Sequence, residues 1–238
     1  MPDATALRKR KFWICAGGEF FATTMFVFLV CGSKLNRYSS SDIVLHVSVT
    51  AGLSIATLAM TIGHLSGGLI NPVVSVALMA TRKISILEGV FYTLAQLLGG
   101  ILGAALLYGL TSPRLHGDLG VTKPAEEING AQAFGIELLL TFVLIFTIFA
   151  ATDPGKEHRG YEIPLSIGLC VFICHMVGIP FTGCSMNPAR SFGPALIMNS
   201  WEHHWVYWVG PIPGGIIAAL LYEHVFSSSK TEVVPNVT

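Results

Sequence analysis

The chain has 238 residues, 52% of them hydrophobic and 12% charged, a composition too apolar for a soluble domain of this size. Its 14 lysines and arginines balance 14 aspartates and glutamates, so no charge excess points to nucleic acid or to an acidic partner. Cys15, Cys31, Cys170, Cys174 and Cys184 lie mostly within apolar runs and form no Cys-x-x-Cys pair, which speaks against a disulfide framework or a zinc site.

In chain order, Arg8 to Lys11 precede an apolar run in the manner of a signal peptide. That run is long, contains Glu19 and is followed by five of similar length, so it reads as a retained span without cleavage. Six stretches of roughly 20 residues are long enough to cross the hydrocarbon layer as helices. They are Phe12 to Gly32, Ile43 to Ile62, Leu87 to Leu110, Ala131 to Ala151, Ile163 to Gly178 and Trp205 to Phe226. Between the second and third stands "SGGLINPVVS", and between the fifth and sixth "TGCSMNPARS". Each opens a helix-compatible stretch, Asn71 to Ala80 and Asn187 to Leu196, about half the length a span requires. The predicted class is an all-α membrane protein with six transmembrane helices and two half-helices.

A shift of 116 positions lays Asn71-Pro72 on Asn187-Pro188, Ser75 on Ser191 and Gly52 on Gly168, and a shift of 118 brings Glu19 to Glu137. The chain therefore reads as one channel domain over residues 1–238, with repeats at about 12–110 and 131–226 and cytoplasmic tails at 1–11 and 227–238. Three spans per repeat is an odd number, which inverts one half relative to the other across the membrane. Arg8, Lys9, Arg10, Lys11, Arg82, Lys83, Lys156, Arg159 and Lys230 fall on the side of the termini. Lys34, Arg37, Arg114 and Lys123 fall opposite, so the basic-residue excess places both termini in the cytoplasm. Trp201, Trp205, Tyr207 and Trp208 are expected to anchor the outer interface.

Irregular backbone is tolerated at membrane depth only where protein or a wet cavity satisfies its polar groups. Asparagine caps a helix and proline suits its first position, so Asn71-Pro72-Val73 and Asn187-Pro188-Ala189 each read as a helix start. In inverted halves these starts meet near the bilayer centre. Their unpaired N–H groups and partial positive charge repel cations, and the asparagine amides add donors there. Permeant water would be held by its oxygen and turned over, which breaks a proton-conducting chain. Arg190, a cation at membrane depth, faces a polar cavity in this reading, either donating to the permeant or tying down loop carbonyls; the two roles can coexist.

Among other ionisable groups, His175 is placed at the pore by its spacing before the second motif, and His64 at the inner mouth. His203 and His204 are assigned to a solvated outer loop, and no metal site is assigned. Glu19 and Glu137 are expected to accept hydrogen bonds from the motif backbone of their own half, the rival role being a proton relay. Gly99 with Gly103, and Gly214 with Ala218, suit close helix packing. The sequon at Asn236 would lie on the cytoplasmic tail, where it is not glycosylated.

"GHLSGGLINPVVS" and "GCSMNPARSFGPA" resemble the paired Asn-Pro-Ala signatures of the aquaporins. "EFFATTMFVF", "ATRKISILEGVFYTLAQLLGG" and "WVYWVGPIPGG" are also similar to stretches of animal water channels, so the likeness runs from about Phe12 to Phe226. The resemblance implies an hourglass monomer, a homotetramer with one pore per subunit, no cofactor and no catalysis. It implies water as cargo and the plasma membrane as location. Ser191 stands where glycerol-conducting relatives carry aspartate, nearer the water-selective branch. The family's outer constriction carries over to Arg190, His175 and Cys184, whose carbonyl would line the path and whose thiol is the candidate mercurial target. The fourth position falls on Ala51 in place of an aromatic ring. That departure motivates a runner-up reading in which the pore also passes glycerol, urea or ammonia. Val73 and Leu69, where relatives carry alanine and histidine, motivate another, a junctional or structural protein of low permeability.

Overall fold

The computed structural model describes residues 4–35, 42–156 and 160–228. Arg37, Arg159, Lys230 and the Asn236 sequon lie outside the described residues. A 3-10 turn over Ala4–Arg8 leads into α1 (Arg10–Ser33), α2 (Ile43–Ser66), α3 (Pro72–Ala80) and α4 (Ile86–Leu110). There follow α5 (Gly130–Ala151), α6 (Glu162–Thr182), α7 (Pro188–Met198), α8 (Val206–Val209) and α9 (Pro211–Leu221). No strand occurs among the described residues. Six helical segments are long and apolar enough to cross a membrane: α1, α2, α4, α5, α6 and the composite Val206–Phe226.

Local chemistry sets the ends. α4 and α5 open with capping boxes, Ser85 with Glu88 and Asn129 with Gln132, each satisfying two orphan N–H donors. α2 and α6 run past their predicted ends to Ser66 and Thr182. Each helix continues until a left-handed glycine, Gly67 (φ 93°) or Gly183 (φ 72°), closes it. The last span is a composite: Pro211 lacks an N–H to continue α8, so the α-helix restarts there and ends in a π turn over Tyr222–Phe226.

The repeats pack alike. α1 lies on α4, α5 on α9, and α2 crosses α6. At that crossing a Cβ on either Gly52 or Gly168 would stand 2.6 Å from the other's carbonyl oxygen, so both positions demand glycine. Gly99 and Gly103 meet the backbone of Phe20 and Thr24 on α1, and Gly214 meets Leu138 on α5, as the small-residue spacing anticipates. Large aliphatic side chains at mid-span point outward, Leu53 at 60% and Leu139 at 63% exposure, which hydrocarbon tolerates and water does not.

Contacts also sort the two ends of the bundle. At one end Phe12 packs on Phe91, Lys83 pairs with Glu223 and Asp153 holds Ser228. At the other, Lys34 pairs with Asp118 and Arg190 reaches Gly120. Tyr207 corrects the expected aromatic anchor: Trp201 and Trp205 are exposed, whereas Tyr207 is fully buried and its hydroxyl donates to Thr182 O at 2.8 Å. His204 likewise is only partly solvated. It lies among Phe192, Trp201 and Trp208, and this burial lowers its pKa.

Candidate pore

Each repeat builds its motif on a buried glutamate. After Gly67, the chain turns through Ile70 at φ 57° and leaves Leu69 N–H and Ile70 N–H pointing inward. Both donate to Glu19, at 2.9 and 2.7 Å, joined by Ser66 Oγ at 2.6 Å and Gln96 Nε2 at 2.8 Å. In the second repeat Cys184 (φ 53°) and Met186 (φ 51°) make the corresponding turn. Glu137 accepts from Ser185 N–H at 2.9 Å, Met186 N–H at 2.8 Å and Thr182 Oγ1 at 2.7 Å. Left-handed backbone at non-glycine residues costs of order 1–3 kcal/mol per residue, and these carboxyl groups offset it. In all of these bonds Glu19 and Glu137 accept.

The turns deliver two helix starts to one place. Asn71 caps α3 by accepting from Val73 N–H at 2.9 Å, and Asn187 caps α7 from Ala189 N–H at 3.0 Å and Arg190 N–H at 3.3 Å. Each asparagine amide then crosses to the other motif. Asn71 Nδ2 donates to Met186 O at 2.8 Å and Asn187 Nδ2 to Ile70 O at 2.9 Å. An amide nitrogen carries two hydrogens, so each retains one beyond this reciprocal bond.

A cavity of about 610 Å³ reaches this meeting point. Asn71, Asn187 and His175 line it, as do His64, Lys83 and Thr152 from the end of the bundle that holds Ser228. Leu69 lines the cavity as well. Val73 does not. Its side chain is fully buried against Gly215 of α9, beside Ile145, and leaves the passage unobstructed.

Above the motifs, His175 and Arg190 are each 1% exposed. His175 Nδ1 lies 2.9 Å from Val171 O; a carbonyl only accepts, so Nδ1 carries the proton and Nε2 is the acceptor of the neutral ring. That Nε2 and Arg190 Nε are buried without a hydrogen-bond partner in the protein. The guanidinium is held on its far side, Nη1 donating to Gly120 O at 2.8 Å and lying 3.5 Å from Cys31 Sγ. Among the described residues Arg190 makes no ion pair.

Two expected constriction residues turn away from the cavity of about 610 Å³. Ala51 is completely buried, packs within the apolar core and does not line that cavity. Cys184 is buried too, its Sγ turned towards Cys174 O at 3.5 Å and packed on Gly178, so the candidate mercurial target presents no thiol to the passage. Sequence reasoning missed Gln96, Gly120 and Cys31. Gln96 carried a usable signal, an uncharged polar side chain in mid-span, whereas nothing local distinguishes Gly120 or Cys31.

The model of the major intrinsic protein family matches residues 6–222. The chain is 50% identical to aquaporin-4 of Mus musculus over 222 residues, spanning 91% of this chain and 68% of that protein. It is 39% identical to aquaporin-1 of Homo sapiens over 241 residues, spanning 98% and 90%. The X-ray structure of the aquaglyceroporin from Plasmodium falciparum superposes with a TM-score of 0.80 at 24% identity, covering 90% of this chain and 96% of that one, and speaks to the fold alone. With its paired half-helices and buried cation accounted for, the chain belongs to the major intrinsic protein family, an integral membrane channel of the aquaporin kind and not an enzyme.

Proposed function

We propose that the chain conducts water passively down an osmotic gradient and excludes protons and cations. The observation that carries this reading is the reciprocal pair of asparagine bonds, which joins two helix N-termini end to end beside a cavity. Each terminus bears roughly half a positive elementary charge, so a cation at this point meets repulsion from both sides. Water accepting from the spare amide hydrogens is oriented there and cannot relay a proton. At the outer constriction, Arg190 Nε donates and His175 Nε2 accepts, which suits one water molecule making both bonds.

The broadened pore is not favoured, because Ala51 packs within the apolar core and Ser191 bonds to Thr122 and Ser185. Nor is a purely structural protein, since neither Val73 nor Leu69 closes the passage. The termini are assigned to the cytoplasm by the excess of basic residues on their side, the membrane to the plasma membrane, and the assembly to a homotetramer by the family resemblance. Stopped-flow shrinkage of proteoliposomes tests the function: rapid water efflux is expected, with glycerol, urea and protons retained. Empty-vesicle rates of water efflux would refute it.

A further inference from the structure

The segment that holds Arg190 is itself held by α1. Gly120 (φ 73°) lies so close to the helix that a Cβ would stand 2.8 Å from Cys31 Cα, and its carbonyl is thereby presented to the guanidinium. One turn further on, Lys34 Nζ donates to Val121 O at 2.8 Å and pairs with Asp118 Oδ2 at 3.3 Å. The other Asp118 oxygen accepts from Gly120 N–H at 3.0 Å. Leu119, between them, is fully buried at φ 51°, a conformation that relaxes unless its surroundings hold it. Lys34 and Cys31 thus grip both sides of a strained tetrapeptide whose Gly120 carbonyl accepts from Arg190.

We propose that Lys34, acting through Asp118 and the Gly120 carbonyl, is a positioning residue for Arg190 and so sets the width of the outer constriction. The guanidinium's partners, Gly120 O and Cys31 Sγ, both meet Nη1, and its Nε is buried without a partner in the protein. Releasing the segment removes the stronger of these contacts, and the cation then turns towards the water in the passage and narrows it.

The inference rests on the water-channel reading, and the test separates the two. Lys34→Met, Lys34→Arg, Arg190→Ala and the double variant Lys34→Met/Arg190→Ala are reconstituted, and water permeability is measured per folded channel. Lys34→Met is expected to fall at least threefold and Lys34→Arg to recover most of the loss. In the Arg190→Ala background Lys34→Met has no further effect, because coupled sites are non-additive. Wild-type permeability in Lys34→Met, or losses that add in the double variant, would overturn the proposal. If Lys34→Met fails to fold, Asp118→Asn takes its place with the same expected loss. If the wild type itself moves no water, the channel reading fails; amide hydrogen exchange over residues 118–122 then decides the clamp, with faster exchange in the variant expected and unchanged exchange refuting it.

Discussion

The two repeats carry out one task with unequal means. Both anchor a strained turn on a glutamate and both cap a half-helix with asparagine. In the first, Gln96 reaches from α4 to Glu19 and stands within bonding distance of Ser75, so polar side chains close the network among themselves. In the second, Ile212 occupies the place 116 positions after Gln96. The support comes instead from backbone and loop: Tyr207 on Thr182 O, Thr122 on Ser191, Gly120 on Arg190. The shared part forms the meeting of the helix starts, and the unshared part forms the constriction. In this molecule geometry follows from the repetition and discrimination from its breakdown.

The sharpest way to break that comparison is to remove one acceptor from each half. Glu137→Gln turns an amide donor towards N–H groups that need an acceptor, and of its partners only the Thr182 hydroxyl can reverse to accept. At about 1–3 kcal/mol for each buried donor left unmatched, the cost is about 2–3 kcal/mol. Glu19→Gln should cost roughly half as much, because the Gln96 amide can rotate to offer its oxygen. Thermal unfolding in detergent measures both, and equal losses would deny the asymmetry. No pH-driven uptake is expected of either variant; its appearance would revive the proton relay.

The third residue of each motif offers a finer contrast. Val73 rests on Gly215 and the Ala189 backbone on Gly100, glycines of the third span in opposite repeats. Val73→Ala leaves a void costing about 2 kcal/mol, while Ala189→Val overpacks by about 1–3 kcal/mol. Since Val73 is off the passage, water permeability per folded channel should be unchanged in Val73→Ala. A sharp rise would make the valine a restriction after all.

Arg190→Ala tests the breakdown directly. A unit charge about 4 Å from a permeating cation contributes up to about 4 kcal/mol at a surface-like dielectric. Competing water screens much of it, so a rise in cation leak of about tenfold is expected, near 1.4 kcal/mol. Conductance of reconstituted bilayers reads this out. An unchanged leak would shift the whole of cation exclusion onto the helix starts, and so onto the symmetric part of the molecule.

What the sequence made legible follows the same division. Everything governed by repetition or by a helix-start rule could be read directly: Asn71, Asn187, the two glutamates and the glycines at the helix crossings. What depends on long-range placement could not. Ala51 looked like a missing wall because its neighbours in the core were unknown, and Tyr207 looked interfacial because three tryptophans surround it in sequence. Cys184 was placed by its backbone, and only coordinates reveal that its side chain turns the other way. The Lys34 clamp joins residues more than 80 positions apart, beyond any local pattern.

The smallest expected effect sharpens the comparison furthest. After its first helix each repeat fixes a charged residue to the segment that follows its third: Lys34 to residues 118–121, and Asp153 to Ser228. Asp153 also accepts from Gly155 N–H at 2.8 Å and Tyr222 OH at 3.0 Å. The Ser228 hydroxyl foremost, opposed by burial and aided by these donors, holds the carboxyl well below the usual carboxylate range. The folded chain therefore binds this proton less readily than the unfolded one. The resulting stability is fully present above the unfolded value of about 3.9 and is lost as pH falls through and below it. Asp153→Asn should lower the unfolding midpoint by only a few degrees at pH 7, with the gap to wild type shrinking below about pH 4. Its water permeability should match wild type, because this strap lies at the end of the bundle away from Arg190 and touches nothing like it. If Asp153→Asn slowed water as much as Lys34→Met, the straps would be equivalent and the outer one would have no special claim on the constriction.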